Sequence, residues 1–138
     1  RIYGPKGFYQ YQCVLPVAGE EKGISEILEL IARSGAGSFL TVLKKFGDTA
    51  SPGMLSFPRH GITLALDFPN KGAKTIALLT SLDEITRKFH GALYPAKDAR
   101  MSPAMFAGSF PALRDFQQHI DPAFSSSFWR RVTGERNL

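Results

Sequence analysis

The first segment of the chain, residues 7–17, reads GFYQYQCVLPV and contains aromatic and β-branched residues before a closing proline. This composition predicts a β-strand, in which successive side chains point to opposite faces. One face then holds Phe8, Gln10, Gln12 and Val14, and the other holds Tyr9, Tyr11, Cys13 and Leu15. The strand therefore has one apolar face and one mixed face that carries two amides.

The next segments alternate between helical and extended patterns. Residues 21–34 predict a helix that ends at Gly35 and Gly37, and its apolar stripe is Ile24, Ile27, Leu28 and Ile31. Residues 38–46 (SFLTVLKKF) and 62–68 (ITLALDF) predict two more strands. The loop between them, from 47 to about 57, is long, and long loops in compact domains are often functional.

A second helix is predicted over residues 73–90, before Gly91 and a short strand at 92–95. Its buried stripe is Leu78, Leu82, Ile85 and Phe89. The resulting order of strand, helix, strand, strand, helix, strand is typical of an α+β, ferredoxin-like (βαββαβ) domain over residues 1–138, with an antiparallel sheet and both helices on one face.

Two further helices are predicted at the C-terminal end. Ser102 and Pro103 are expected to begin the first, and Asp121 and Pro122 the second, because these residue types favour helix N-termini. The last helix would bury Phe124, Phe128 and Val132.

Alternation also assigns side chains to the sheet face without helices. On the second strand, Leu40, Val42 and Lys44 would share that face, while Phe39, Thr41 and Leu43 would meet the helices. On the third strand, Thr63, Ala65 and Asp67 would lie opposite the core residues Ile62, Leu64 and Leu66. The helix-free face then holds Gln10, Gln12, Lys44 and Thr63, which suits a ligand or a second domain, although an ordinary solvated face is an alternative.

Composition narrows the functional classes. A hydrophobic content of 43% and a charged content of 21% exclude a disordered chain, and no apolar run is long enough to span a membrane. The single cysteine and the lack of a signal peptide predict a cytoplasmic protein. A net charge of +5 favours anionic partners: nucleic acid, a phosphate-bearing substrate or a membrane surface, to which the protein would be peripheral. Because the chain begins at Arg1 rather than methionine, we expect it to be trimmed.

Self-contained catalytic motifs are absent from the sequence. His60, His90 and His119 lack the spacing of metal ligands, so no metal site is predicted. The glycine-rich SGAGS at 34–38 follows a helix and precedes a strand, the reverse of a dinucleotide-binding loop, and is interpreted as a helix stop. Lys97, on the turn within LYPAKDAR (93–100), is either a solvated lysine or an anion contact, and the neighbouring Asp98 and Arg100 either pair with each other or cap backbone groups.

Four blocks resemble one protein family: FYQYQCVLP (8–16), SFLTVLKKFG (38–47), LSFPRHGITLALDFP (55–69) and LYPAKDARM (93–101). They are similar to the C-terminal, substrate-side domain of vanillyl-alcohol-oxidase-type FAD-linked oxidoreductases, in the group of the decaprenylphosphoryl-ribose oxidases, as is the ending DPAFSSSFWRRV. The resemblance implies a missing N-terminal FAD-binding domain. It also implies oxidation of a sugar or alcohol hydroxyl by hydride transfer to flavin N5, and an inactive fragment.

The resemblance also implies roles for individual residues. Lys97 matches the catalytic lysine beside flavin and substrate, and Tyr94 matches a tyrosine that contacts the FAD. Matches to the substrate pocket are Gln10, Gln12, Lys44, Phe46, Thr63 and Ala65. Thr63 and Ala65 stand where mycobacterial members have an asparagine and a reactive cysteine, so the pocket is expected to differ. Cys13 is interpreted as a buried strand cysteine instead.

The partners implied by the resemblance are the protein's own FAD-binding domain, a small-molecule or lipid-linked sugar, and a partner reductase. Without the first, the open sheet face predicts self-association. The alternative is a stand-alone ferredoxin-like module that binds RNA or a small anion, or that only dimerises. Nucleic acid is not expected, because Tyr9 and Tyr11 would face the helices, whereas RNA-binding sheets expose aromatic residues.

Overall fold

The computed structural model describes residues 3–121 and 123–134. The elements run in the order β1 (Phe8–Pro16), α1 (Glu20–Ser34), β2 (Thr41–Phe46), β3 (Gly61–Pro69), α2 (Ala73–Lys88), β4 (Ala92–Leu93), α3 (Pro103–Ser109), α4 (Leu113–Gln117) and α5 (Ser127–Thr133). The predicted alternation of the first six elements is confirmed. Gly35 ends α1 in the left-handed conformation, so the glycines at 35–37 are the helix stop that the sequence indicates.

The four strands form one antiparallel sheet in the order β2-β3-β1-β4. Its centre is the pair β1–β3, which stays in register over nine residue pairs from Phe8↔Pro69 to Pro16↔Gly61. Because β3 lies between β1 and β2, the connection through α1 crosses over β3. The short strand β4 extends the sheet on the other side of β1.

The hydrophobic core lies on one side of this sheet, under α1 and α2. The sheet contributes alternate residues of its two central strands: Tyr11, Cys13, Leu15, Leu64, Leu66 and Phe68. The helices contribute Ile27, Leu79 and Leu82, each of which is at most 1% exposed. Burying a side chain of this size stabilises the fold by about 1.5–3 kcal/mol. The predicted assignment of Tyr11 to the helical side is therefore correct.

Leu28, which was predicted to belong to the apolar stripe of the first helix, is 45% exposed. Phe39 (68%) and Leu43 (56%), which were predicted to face the helices, are also exposed. The helices pack over β1 and β3, and β2 is the edge strand beyond them. The alternation of β2 is correct, but none of the helices in residues 3–121 and 123–134 packs on that side of the strand.

The C-terminal part folds into three helices rather than the predicted two. As predicted, Ser102 caps α3, since its hydroxyl accepts a hydrogen bond from the backbone N–H of Met105 at 3.2 Å. The added helix, α4, buries Leu113 against the main core. Within the described residues, no helix has the length and apolar character that crossing a bilayer requires.

The predicted start of the last helix is wrong by several residues. Ser126 caps α5 by accepting from the N–H of Trp129 at 3.0 Å, whereas the Asp121 carboxylate accepts from the N–H of Ala123 in a turn. Pro122, the other half of the predicted signal, lies outside the described residues. Phe124 precedes the helix and is 79% exposed, but Val132 is buried as predicted.

A prediction concerns Gly61, where β3 begins. Its φ of +147° and the 2.0 Å that would separate an added Cβ from the Leu15 carbonyl oxygen leave no room for a side chain. We expect Gly61→Ala to lower the free energy of unfolding by about 3 kcal/mol. Gly47→Ala is the control, since an added Cβ there meets nothing within 4 Å. Urea unfolding of the full-length protein measures both, and equal midpoints would contradict the constraint.

Candidate functional site

The register of the sheet determines which polar residues share the helix-free face. Residues directly opposite each other in antiparallel strands project to the same side. Thr63 lies opposite both Val14 and Lys44. Ala65 lies opposite Gln12 and Asp67 opposite Gln10. The predicted placement of Gln10, Gln12, Lys44 and Thr63 on one face is therefore confirmed.

These residues surround a shallow depression, which we call the sheet-face pocket. It has a volume of about 90 Å³. Five of the six predicted substrate-binding residues and the predicted catalytic lysine line it: Gln10, Gln12, Lys44, Thr63, Ala65 and Lys97. Leu40 and Val42 supply apolar surface from β2. A pocket with this lining can hold a small ligand that presents both polar and apolar groups.

Thr63 is the buried polar residue at the base of the pocket, with 2% of its surface exposed. Its hydroxyl donates to the backbone carbonyl of Cys13 at 2.8 Å, and its oxygen accepts from the Nε2 of Gln12 at 3.1 Å. The chain of hydrogen bonds fixes the side chain of Gln12, which is half-buried, above the sheet.

Asp67 also lines the pocket, although the sequence patterns did not predict it as a site residue. Its carboxylate is 6% exposed and accepts from the Tyr3 hydroxyl at 2.8 Å and from the Nε2 of Gln10 at 3.2 Å. The hydrogen bond to the carboxylate, followed by burial, raises the pKa of Tyr3 above its ordinary value. Alternation already places Asp67 on this face. A charged aspartate within the otherwise apolar strand ITLALDF is the feature of the sequence that could have marked it as a site residue.

Lys97 lies on a 3-10 turn, Pro95–Lys97, between β4 and α3. The turn is attached to the sheet because the N–H of Tyr94 donates to the carbonyl of Gln12 at 2.8 Å. Beyond the turn, the carboxylate of Asp98 accepts from the N–H groups of Arg100 and Met101 at 3.0 and 2.6 Å. The backbone that carries Lys97 is thus held on both sides.

Arg100 holds the same segment against α2. Its guanidinium makes two hydrogen bonds to Asp83, at 2.8 and 2.9 Å, and a third to the carbonyl of Leu79. The pKa of Asp83 is raised because burial disfavours its charge, although Arg100 opposes this shift. The side chains of Asp98 and Arg100 therefore do not pair with each other: Asp98 caps backbone groups and also binds Arg131.

Two predicted site residues, Phe46 and Tyr94, lie outside the sheet-face pocket. They line a neighbouring aromatic hollow of about 400 Å³ together with Leu55, Phe57 and Pro95. Phe57, from the long loop after β2, packs on Tyr94 with ring centroids 4.7 Å apart and on Phe46 at 6.2 Å. Gln12 borders both depressions. Gln12 is therefore the residue through which the two depressions adjoin.

The charge of the site is positive. Within residues 3–121 and 123–134, the salt bridges involve neither Lys44 nor Lys97. The ammonium groups are therefore available to an anion or to an electronegative oxygen. The same residues contain no cluster of three side chains able to hold a metal ion.

Cys13 faces away from the site, into the main core, and is completely buried. Burial raises the pKa of its thiol to about 12. The thiolate is the reactive form of cysteine, so this thiol is inert at neutral pH. The interpretation of Cys13 as a buried structural cysteine is confirmed.

Comparison with known proteins gives two informative relatives, although no protein-family model matches the chain. The chain is 39% identical over 137 residues to decaprenylphosphoryl-beta-D-ribose oxidase of Mycolicibacterium smegmatis, which covers 96% of the chain and 29% of that protein. It is 33% identical over 132 residues to an uncharacterized protein in the mprA 5′ region of Streptomyces coelicolor, covering 92% of the chain and 35% of that protein. The chain thus spans about a third of the length of these relatives. The resemblance seen in the sequence blocks is confirmed.

The environment of Cys13 gives a prediction for its reactivity. We expect iodoacetamide at pH 8 to leave Cys13 unmodified in the folded protein, because a thiol with a pKa of about 12 is almost entirely protonated at that pH. Urea should expose the residue and allow alkylation. Peptide mass spectrometry of the labelled full-length protein measures this, and rapid native labelling would contradict the buried placement.

Proposed function

We propose that this chain is the C-terminal, substrate-side domain of an FAD-dependent oxidoreductase of the vanillyl-alcohol-oxidase type. The observation that carries the proposal is the 39% identity with an oxidase over 96% of the chain. In this proposal, an N-terminal domain outside this chain binds most of the FAD. The chain alone is then inactive.

The architecture of the sheet supports the proposal. The strand order β2-β3-β1-β4, the antiparallel pairing and a helix layer on one side agree with the ferredoxin-like, split βαβ arrangement. In the part of the chain that the structure describes, no helix lies over the sheet-face pocket on the other side, which carries the polar residues of the pocket. In the proposed enzyme this face lies over the flavin and completes a site between two domains.

The donors on this face fit the electron-rich edge of an isoalloxazine. The ammonium group of Lys97 carries a positive charge on a turn whose backbone is held, and the ring of Tyr94 offers an apolar surface at the adjoining hollow. These are the residues that would hold the flavin ring. When bound, the flavin would supply the hydride acceptor, at N5, for oxidation of the substrate.

The chain's own contribution to the reaction is binding and electrostatics. The Lys97 ammonium stabilises negative charge that develops beside it, and in a site closed by a second domain this effect is larger than in water. Gln10, Gln12 and Lys44 orient the hydroxyl-bearing substrate, while Phe46 provides an apolar wall in the neighbouring aromatic hollow. Ala65 and Thr63 shape the base of the pocket between them. The base that removes the hydroxyl proton then comes from the other domain.

The substrate that we propose is a sugar or alcohol whose hydroxyl becomes a carbonyl group. The relative from Mycolicibacterium smegmatis is an oxidase of decaprenylphosphoryl-beta-D-ribose, and the free lysines of this site suit a phosphate-bearing sugar. A lipid-linked substrate would place the protein at the membrane surface in the cytoplasm. A partner reductase would then reduce the keto sugar if the pathway is an epimerisation.

The direct test is the absorbance of the full-length protein. We expect a soluble, purified protein to show the flavin band near about 450 nm. Methyl β-D-ribofuranoside, methyl β-D-arabinofuranoside and benzyl alcohol are then added without oxygen, and a substrate bleaches the band. A colourless protein that does not take up added FAD would overturn the proposed function.

A second prediction concerns Lys97. In the full-length enzyme, Lys97→Ala should lower turnover by about 100-fold, because an aligned charge at the reacting centre is lost. Because the N-terminal domain of the proposed enzyme binds most of the FAD, the variant should still contain flavin and should keep its melting temperature. Lys22→Ala, which removes an exposed lysine of α1, is the matched control. Wild-type turnover in the Lys97 variant would exclude the lysine from the mechanism.

A further inference from the structure

The hydrogen bonds of Thr63 determine how the amide of Gln12 is oriented. A hydroxyl has one proton, and the partner at 2.8 Å, the backbone carbonyl of Cys13, can only accept. The proton of Thr63 therefore points to Cys13, and its oxygen can only accept from Gln12. The group of Gln12 that faces Thr63 must be the NH₂. Its carbonyl oxygen, Oε1, is then the group left to accept a hydrogen bond from a ligand, and Gln12 lines both the sheet-face pocket and the aromatic hollow.

Asp67 imposes the same orientation on Gln10. An ionised carboxylate accepts hydrogen bonds and donates none, so the NH₂ of Gln10 must face Asp67 Oδ1. The other oxygen of Asp67 is occupied by the hydroxyl of Tyr3. Among the described residues, neither Gln10 Oε1 nor Gln12 Oε1 accepts a hydrogen bond from the chain. Two amides thus present acceptors rather than donors.

We propose that Thr63 and Asp67 are positioning residues that hold the carbonyl oxygens of Gln12 and Gln10 toward the pocket, and thereby select a ligand with at least two hydroxyl donors. The proposal rests on the proposed function and specifies its substrate class. Lys44 and Lys97, which only donate, select an acceptor or anionic group on the same ligand. The substrate is then a polyhydroxylated compound, and a simple monohydric alcohol is disfavoured.

This selection follows from the cost of an unpaired polar group. A ligand without a hydroxyl opposite Gln12 would leave a desolvated carbonyl without a partner, and the protein could not rotate the amide without breaking its bond to Thr63. Where a site is built to bind a hydroxyl, an analogue lacking that hydroxyl is rejected strongly. The orientation of the two amides therefore determines specificity.

The kinetic test uses Thr63→Val in the full-length, flavin-loaded enzyme, with whichever of the two methyl glycosides bleaches the flavin. Releasing the amide should raise the KM by about 3- to 10-fold, the equivalent of one hydrogen bond, and leave kcat within about 2-fold. Thr63→Ser, which retains the hydroxyl, should restore the KM. The control is Thr41→Val, an exposed threonine on the opposite face of β2. An unchanged KM in Thr63→Val, or no rescue by Thr63→Ser, would overturn the proposal.

Asp67 is tested with a matched pair. Asp67→Ala removes the acceptor of Gln10 and should raise the KM by a similar factor, whereas Tyr3→Phe removes only the bond from Tyr3 and should not. Flavin content and melting temperature show that each variant is folded. If the Thr63→Val variant of the preceding kinetic test does not fold, Thr63→Ala is measured in its place.

A second measurement does not depend on turnover. In the ¹⁵N-labelled full-length protein, the side-chain NH₂ signals of Gln12, assigned by their loss in Gln12→Ala, should exchange slowly with water. They should move and exchange faster in Thr63→Val. Equal exchange in both proteins would overturn the proposed positioning. Reduction of the flavin by benzyl alcohol alone would overturn the selection of a polyhydroxylated ligand. If neither the glycosides nor benzyl alcohol reduces the flavin, the proposed function fails, and the exchange measurement still decides whether Thr63 orients the amide.

Discussion

The rest of the structure depends on the antiparallel pairing of β1 with β3. Its register places Cys13 opposite Leu64 in the core and Gln12 opposite Ala65 on the other side, so one pairing determines the composition of both faces. A shift by one residue would exchange the two faces completely. The pairing ends where Gly61 meets Pro16, and only a glycine fits there. A single backbone constraint thus supports both the fold and the pocket.

Local patterns in the sequence predict much of this arrangement. The two long helices, the central strands and the common face of Gln10, Gln12 and Thr63 follow from helical and strand periodicity, which depends on neighbouring residues alone. The cap at Ser102 follows from residue type. Periodicity also placed Asp67 on the correct face. Its hydrogen bonds to Gln10 and Tyr3 depend on how distant segments of the chain pair, and periodicity does not reveal that pairing.

What the sequence could not supply depends on distant contacts. Leu43 alternates correctly but lies on an edge strand, beyond the helices of the described residues, so its exposure is a property of packing. Asp121 and Ser126 are both residue types that favour helix N-caps. Ser126 performs that role, and residue type alone does not distinguish the two positions. The fold also divides the predicted site residues between two depressions. Phe57 packs on Phe46 and Tyr94 in the second depression, and it comes from a long loop whose path has no periodic pattern in the sequence.

The separation of the two sheet faces has a consequence for how such a domain changes over evolutionary time. Gln12, Lys44 and Ala65 line the pocket on the side of the sheet opposite the main core, so in the proposed enzyme replacing them would alter ligand preference with little effect on folding. Thr63 is different, since its hydroxyl also bonds to the backbone of β1. Such a sheet can acquire new substrates by exchanging a few outward residues while its interior remains the same. The residues that line the pocket and the residues that form the core alternate along the same strands.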